Sequence, residues 1–326
     1  MAKIIGRHIE VGVGKETVRG TAVAPTFGVA KATCTIDDNV DVLINENSVG
    51  RVEDGYDGRA IKQWGEGEIT GLLYDKHFGL YLLSLFGTVS SVAKSAPNTA
   101  VYDHTFTINN VTQPQSLTLD VKNGSNEHLA FALAQVDSLE IKAEVGKFVE
   151  IAVGFKSKAG VASTQTITYT TEYPFTSKHV VLKMASTAAG LGAASAIPAS
   201  SVTVKFNRNV EPEFVFGSTS VNDVLAKQFS CEISATFVMD NATYKGYFSA
   251  GTMMACLVDI INSDVTIGTS SNPELKITMT QVAFDKFERN GANDEIVTQT
   301  ISGKATYKVS ETKMVDVVLT NLTTSY

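Results

Sequence analysis

The first half of the chain is dominated by a long stretch, residues 32–74, in which polar and apolar residues alternate. Every second residue in 40–44 is apolar, and further on Glu66 and Glu68 alternate with glycine and isoleucine. Residues that alternate in this way point to opposite faces of a β-strand, so the stretch predicts two paired strands with one apolar and one acidic face. The glycine-rich run between them, 50–58, predicts an exposed tip.

A weaker copy of this pattern occupies residues 202–240. In both copies a Lys-Gln-aromatic triplet, at 62–64 and 227–229, precedes a Glu-Ile pair, at 68–69 and 232–233. The shared order of strand, strand, short helix and closing hairpin predicts an internal duplication.

A short helix follows each copy. In the first copy Asp75 is the expected N-cap and Gly87 the stop. The apolar residues that recur at helical spacing between them are Phe78, Tyr81, Leu82 and Leu85. Closing hairpins are predicted at residues 139–155 and, in the second half, between 296–306 and 307–319. These patterns predict a mostly β protein with two tandem domains, residues 1–160 and 161–326, each with one short flanking α-helix.

Composition narrows the class of protein. The 326 residues are 44% hydrophobic and 19% charged, as expected of a folded β-rich chain that can bury two medium-sized cores. The formal net charge of −7 argues against tight, sequence-specific nucleic-acid binding, which depends on Lys and Arg against phosphates. The cysteines Cys34, Cys231 and Cys256 lack zinc-type spacing and predict reduced thiols. No signal peptide or membrane helix is predicted.

No catalytic or ligand-binding pattern is complete in this sequence. The run Gly12–Thr17 resembles a phosphate-binding loop but has Glu16 where a Ser or Thr should bind Mg²⁺. The histidines lack ligand spacing, so no metal or cofactor is expected. Glu66 and Glu68 lie about 7 Å apart on one strand face, a separation that a glycosidase pair could also show, although a solvated acidic face accounts for them more simply.

The N-terminal string Gly14-Lys15-Glu16-Thr17-Val18-Arg19-Gly20-Thr21-Ala22-Val23-Ala24-Pro25 resembles the tail tube proteins of long-tailed, siphovirus-like bacteriophages, which often open with a short arm carrying such a string. The C-terminus, residues 305–326, is similar to the closing hairpin of that family. The resemblance implies that both are tail-tube-like β-sandwich or half-barrel domains, whose sheets join across subunits into a barrel around a central channel. Most relatives build each ring from six single-domain subunits, so the duplication here points to a homotrimer with pseudo-sixfold symmetry.

Further expectations follow from this resemblance. The chain would be a non-enzymatic virion protein, made in the host cytoplasm, that polymerises into stacked rings of the tail tube. Its partners would be further copies of itself, the tape-measure, terminator and baseplate proteins, and genomic DNA that passes without specific binding; no membrane insertion is expected. The sequence does not separate a tube subunit from a homologous terminator or adaptor.

Strand parity and the resemblance together assign residues to the channel. The expected channel-lining carboxylates are Asp41, Glu66, Glu68, Glu211, Glu213 and Glu232. The expected core behind them consists of Val40, Val42, Ile44, Ile69, Ile233 and Phe237. The N-terminal arm, residues 3–27, and the tip, 50–58, are expected to make ring-to-ring contacts.

Two alternatives stay open. A carbohydrate- or host-recognition β-sandwich of the virion surface would need exposed aromatic residues, and the strand tips offer few beyond Tyr56 and Tyr74. A glycosidase that uses Glu66 and Glu68 is the second alternative.

Overall fold

Antiparallel strands make up most of the chain in the computed structural model, which describes residues 3–326. The strands are β1 Ile9–Lys15, β2 Phe27–Gly28, β3 Thr33–Cys34, β4 Asp37–Asn45, β5 Asp57–Leu72, β6 Gly87–Ala93, β7 Tyr102–Ile108, β8 Leu117–Asn123, β9 Glu127–Glu144, β10 Glu150–Ser157, β11 Val161–Ala162, β12 Val180–Ala185, β13 Ala199–Asn207, β14 Glu211–Glu213, β15 Asp223–Leu225, β16 Ser230–Val238, β17 Met254–Ile261, β18 Glu274–Asn290, β19 Thr298–Ala305 and β20 Val315–Asn321. The α-helices are α1 Phe78–Phe86 and α2 Thr243–Ser249, and short 3-10 helices span Gly6–His8, Ser177–His179 and Ala188–Gly192.

Eight strands form one continuous sheet, called the main sheet below. Their order is β4, β5, β10, β9, β13, β16, β19 and β18. The first four strands come from the N-terminal half of the chain and the last four from the C-terminal half, and β9 pairs with β13 where the halves meet. The edges are β4 and the C-terminal part of β18, and no strand within residues 3–326 pairs with the outer side of either.

A second layer covers one side of the main sheet. The long strands β9 and β18 pass from one layer to the other: the N-terminal part of β9 pairs with β8 and β11, and that of β18 pairs with β17 and β20. Strand β1 extends this layer beside β8, β12 lies beside β17, and β7 and β6 follow β20. The apolar sides of the two layers face each other, as expected for sheets with one solvated face.

Alternation along the strands explains the core. In β10 the side chains of Ile151, Val153 and Phe155 are buried, whereas the residues between them are more exposed. The predicted core residues Ile69, Ile233 and Phe237 are at most 3% exposed. One cluster of buried apolar side chains runs through both halves of the chain.

Three other predicted core residues are not buried, and that prediction is wrong for this chain. Val40, Val42 and Ile44 are 47%, 59% and 59% exposed. They alternate as expected, but β4 is an edge strand that runs beyond the second layer. Alternation fixes the side to which a residue points, and a packed neighbour is also needed to bury it.

The first helix is confirmed, with a different start. All residues of α1 are buried, and Gly87 ends the helix with a φ of 95°, a left-handed conformation that favours glycine. The N-cap is His77 rather than Asp75. The Asp75 carboxylate instead accepts a hydrogen bond from the Tyr173 backbone N–H at 2.7 Å, which removes it from the helix terminus.

Two further expectations need correction. Residues 3–27 do not form a free, extended arm, because Gly6–His8 is a 3-10 helix and β1 pairs with β8, with its Val11 and Val13 side chains fully buried in this chain's own core. The predicted closing hairpin of the second half, 296–306 with 307–319, does not form. Strand β19 pairs with β16 and β18, and β20 pairs with β18 and β7. The first closing hairpin, β9 with β10, is confirmed.

Candidate channel face and assembly surface

The outer side of the main sheet, opposite the core, is polar along its whole width; we call it the polar face. It consists of the alternate residues of the eight strands that point away from the second layer. Its carboxylates are those of Asp37, Asp41, Asp57, Glu66, Glu68, Glu140, Glu144, Glu150, Glu232 and Glu288. Its cationic groups are those of Arg59, Lys62, Lys142, Lys156, Lys205, Lys286 and Lys304. Carboxylates therefore outnumber cationic groups, but the two signs are interspersed.

Four of the six predicted channel residues share this face: Asp41, Glu66, Glu68 and Glu232. The other two do not lie in the main sheet. Glu211 and Glu213 are in β14, which pairs with β15 in a separate two-stranded sheet. There Glu211 forms an ion pair with Lys227 that lowers the pKa of its carboxyl, and Glu213 accepts a hydrogen bond from Asn222 at 2.7 Å.

Charges of opposite sign meet across strands in both halves. Lys156 on β10 lies opposite Glu66 on β5, and Lys304 on β19 lies opposite Glu232 on β16. Glu232 is therefore the structural counterpart of Glu66, whereas the sequence pattern pairs it with Glu68. The junction between the halves follows the same rule, because Lys205 Nζ lies 2.8 Å from Glu140 Oε2. Such pairs on a solvated face set register more than they stabilise the fold.

The Glu66 and Glu68 pair has the surroundings of a surface patch. Glu66 Oε2 accepts a hydrogen bond from the Trp64 indole N–H at 2.9 Å, and the Trp64 ring packs edge-on against Phe214 with centroids 6.2 Å apart. Both carboxylates are exposed on the open sheet. Trp64 thus has a packing role.

The two helices differ sharply in burial, although they occupy corresponding places in the two halves. Helix α1 is buried throughout, and its Phe86 ring packs on Phe206 of β13 and on Phe229, with centroids 5.7 and 5.2 Å away. Helix α2 has no buried residue. Phe206, Phe229 and Tyr326 of the C-terminal half add to the burial of α1, and no part of residues 3–326 covers α2 in the same way. The α2 side of the sheet and the exposed β4 edge are therefore the open ends of the molecule.

A buried polar network fixes the start of α1, and the sequence patterns did not reveal it. Asn321 Nδ2 donates to the Asp75 carbonyl and to the Tyr326 hydroxyl at 2.5 and 2.6 Å, and the Tyr326 hydroxyl donates to the Lys76 carbonyl at 2.7 Å. Fully buried His77 contacts Glu172. These contacts join residues 75–77 to Asn321 and Tyr326 on one side and to Glu172 on the other, and no local sequence pattern predicts such long-range contacts.

Asp75 makes the stability of this region depend on pH. Burial raises the pKa of its carboxyl to about 6, and nearby Glu172 acts in the same direction. The native state therefore keeps a proton that the unfolded chain releases near pH 4. The stability that this group contributes to the fold is lost as pH rises from about 4 through about 6. We expect the urea midpoint of the Asp75→Asn variant to fall less between pH 4 and pH 7 than that of the wild type. Equal pH dependence of the two midpoints would contradict this assignment.

Among residues 3–326 no helix is both long and apolar enough to span a bilayer. Within the same residues, no His, Cys, Asp and Glu side chains gather into a group that could hold a metal ion.

Comparison with known proteins gives one result that covers nearly the whole chain. No curated protein matches the sequence. A family model described as phage tail tube protein matches residues 6–305, which include α1, α2 and every strand of the main sheet. The chain therefore belongs to the phage tail tube protein family.

Proposed function

We propose that three copies of this chain form a ring of the tail tube, that the rings stack, and that the polar face lines a DNA-conducting channel. As a member of its family the chain is a structural component of the virion tail. The trimeric ring and its channel are proposed because the main sheet has eight strands, four adjacent ones from each half of the chain, and is open at both edges. Open edges of a long sheet expose unpaired backbone groups, and ring closure removes them.

The dimensions suit a conduit. Three copies supply twenty-four strands, which at a spacing of about 4.8 Å and a tilt of about 40° close a barrel about 48 Å across its backbone, leaving roughly 35–40 Å inside the side chains. The excess of carboxylates on the polar face repels phosphate groups, so DNA passes without the counterion release that drives tight binding.

Further parts of this proposal are the partners of the chain and its lack of catalytic activity. The chain contacts further copies of itself and, at the ends of the tube, the tape-measure, terminator and baseplate proteins. It is made in the host cytoplasm and carries out no catalysis. The division at residue 160 marks a duplication, which gives three chains the six repeats of a ring.

Electron microscopy together with mass measurement tests the assembly. We expect negatively stained purified protein to show rings or tubes, and mass photometry to show species at three times the 34.8 kDa chain mass. Rings of six chains would contradict the trimer, and a dispersed monomer at high concentration, even with tail initiator proteins added, would contradict the tube function.

Charge reversal tests the channel face. In phage carrying Glu66→Lys and Glu68→Lys together, we expect DNA ejection to slow several-fold, because each ring then presents new cations to passing phosphates. The matched control is Glu127→Lys, a reversal at the exposed β8–β9 turn, which should leave ejection unchanged. Unchanged ejection in the double variant would count against the channel assignment.

A further inference from the structure

We infer that the seam between neighbouring subunits forms by antiparallel pairing of β18 residues 286–290 with residues 35–39 of a second copy of this chain, in the register of the internal β9–β13 junction. This inference rests on the proposed ring and names its contact. It follows from the structural correspondence of the two halves, from their free edges and from the charges that would meet there.

Irregularities in strand pairing establish which residues of the long strands correspond. The β8–β9 pairing skips between Leu117 opposite Ala134 and Leu119 opposite Phe131. The β17–β18 pairing skips in the same way between Met254 opposite Val282 and Cys256 opposite Met279. Because bulges are specific features of a strand pair, the matching skips align β9 with β18.

A second bulge gives the same alignment. The β9–β10 register shifts at Asp137, and the β18–β19 register shifts at Asp285. Ala134 and Val282, at the two skips, are the same number of residues apart in the sequence as Asp137 and Asp285, at the two register shifts. With this separation Glu140 of β9 corresponds to Glu288 of β18.

The neighbouring strands align through the repeated lysine–glutamate pairs. Lys156 opposite Glu66 corresponds to Lys304 opposite Glu232. On the far side of these glutamates, Asp37 of β4 lies opposite Glu66, and Lys205 of β13 lies opposite Glu232. Asp37 is therefore the counterpart of Lys205.

The internal junction now serves as a template for the seam. In it Glu140 lies opposite Lys205, and Ser138 lies opposite Asn207. Replacing each residue by its counterpart places Glu288 opposite Asp37 of the second copy and Lys286 opposite Asn39. The same substitution places Asn290 opposite Thr35.

Both surfaces that would meet are uncovered in the single chain. The internal junction buries α1 against β13, and the equivalent helix beside the free β18 edge, α2, leaves Phe248 37% exposed. On the opposite edge Val40 and Val42 of β4, which point to the side opposite the polar face, are 47% and 59% exposed. Joining the two edges covers apolar surface on both partners, which identifies a second copy as the partner.

The seam differs from its template in charge. Across the internal junction the polar face reads Glu140, Lys205, Glu232 and Lys304, with alternating signs. Across the seam it would read Glu288, Asp37 and Glu66, three carboxylates in succession, before the first cation, Lys156. Like charges directly opposite each other destabilise strand pairing, so the seam is weaker than the internal junction and strengthens with added salt.

Cysteine cross-linking tests the register. In a Cys34→Ser background, we expect Lys286→Cys with Asn39→Cys to give covalent dimers and trimers in assembled rings. The matched control pairs Lys286→Cys with Thr35→Cys, on the same strand face but four residues away, about 13 Å, and should not cross-link. The register is overturned if microscopy shows rings in which the Thr35→Cys pair cross-links and the Asn39→Cys pair does not. If the wild type forms no rings at all, it is the proposed function that is contradicted.

Charge provides a second, independent test that does not depend on cysteines. Asp37→Lys turns the seam into a copy of the internal junction, so we expect at least a tenfold lower protein concentration for half-maximal ring assembly at low salt, with Asp37→Asn between. Glu127→Lys, which changes net charge equally but lies away from both edges, should assemble like the wild type. An Asp37→Lys variant with the assembly concentration of the Glu127→Lys control would overturn the inference.

Discussion

Replacing Gly79 by alanine is expected to destabilise the chain by about 3 kcal/mol, although alanine normally favours helices. A Cβ atom at Gly79, in the first turn of α1, would lie 2.1 Å from Cζ of Tyr326. The Tyr326 ring is only 7% exposed, and its hydroxyl completes the buried network with Asn321 and the Lys76 carbonyl. The added methyl group must therefore displace the C-terminal residue from the core. Urea unfolding followed by intrinsic fluorescence measures the loss.

A double-mutant cycle separates this mechanism from a general helix defect. Tyr326→Ala alone should cost about 3 kcal/mol or more, because it removes a buried aromatic ring. In that background Gly79→Ala should cost nothing and gain up to about 1 kcal/mol from helix propensity. Additive losses in the double variant would show that Gly79 and Tyr326 do not interact.

Removal of the Glu16 carboxylate should have a comparable effect, a loss of about 3–5 kcal/mol in the Glu16→Ala variant. Glu16 is 1% exposed, and its two oxygens accept four hydrogen bonds. The donors and distances are Leu133 N–H at 2.7 Å, Gly20 N–H at 2.7 Å, Ser116 Oγ at 2.6 Å and Thr118 Oγ1 at 3.1 Å. Without the carboxylate these buried donors lose their acceptor.

One of these donors belongs to a strained residue. Leu133 has a φ of 58°, which is costly for a branched side chain, and it sits where the β8–β9 pairing skips. Its hydrogen bond to Glu16 holds that bulge in place. The same glutamate closes the turn to Gly20, whose φ of 77° suits glycine, so the Glu-Thr-x-x-Gly part of the N-terminal string has a structural role.

Matched variants make the Glu16 prediction specific. Glu16→Gln keeps one acceptor oxygen and should lose an intermediate amount. Glu10→Ala, on strand β1 just before Glu16, removes only a partly exposed pair with Lys122 and should cost less than about 1 kcal/mol. Urea midpoints of the three variants measure these differences, and a Glu16→Ala variant as stable as Glu10→Ala would disprove the anchoring role.

The candidate site shows how far the sequence could lead. Glu66, Glu68 and Glu232 were placed on one polar face because strand geometry repeats every two residues, and the structure brings them onto one sheet. Glu211 and Glu213 alternate equally well but belong to a separate two-stranded sheet. Their alternation carried no information about which strand would lie beside them.

The sequence by itself determined the strand faces, the buried helix α1 and its stop at Gly87, because each depends on periodicity or on one residue's backbone freedom. Only the tertiary structure decided the strand partners, such as β20 beside β7, and the exposure of Val40 at a free edge. It alone gave Glu16 a donor 117 residues away, at Leu133. These features arise from contacts between distant segments. A segment pairs with the partner that covers its apolar surface and also satisfies its buried polar groups, and a short stretch of sequence does not specify that partner.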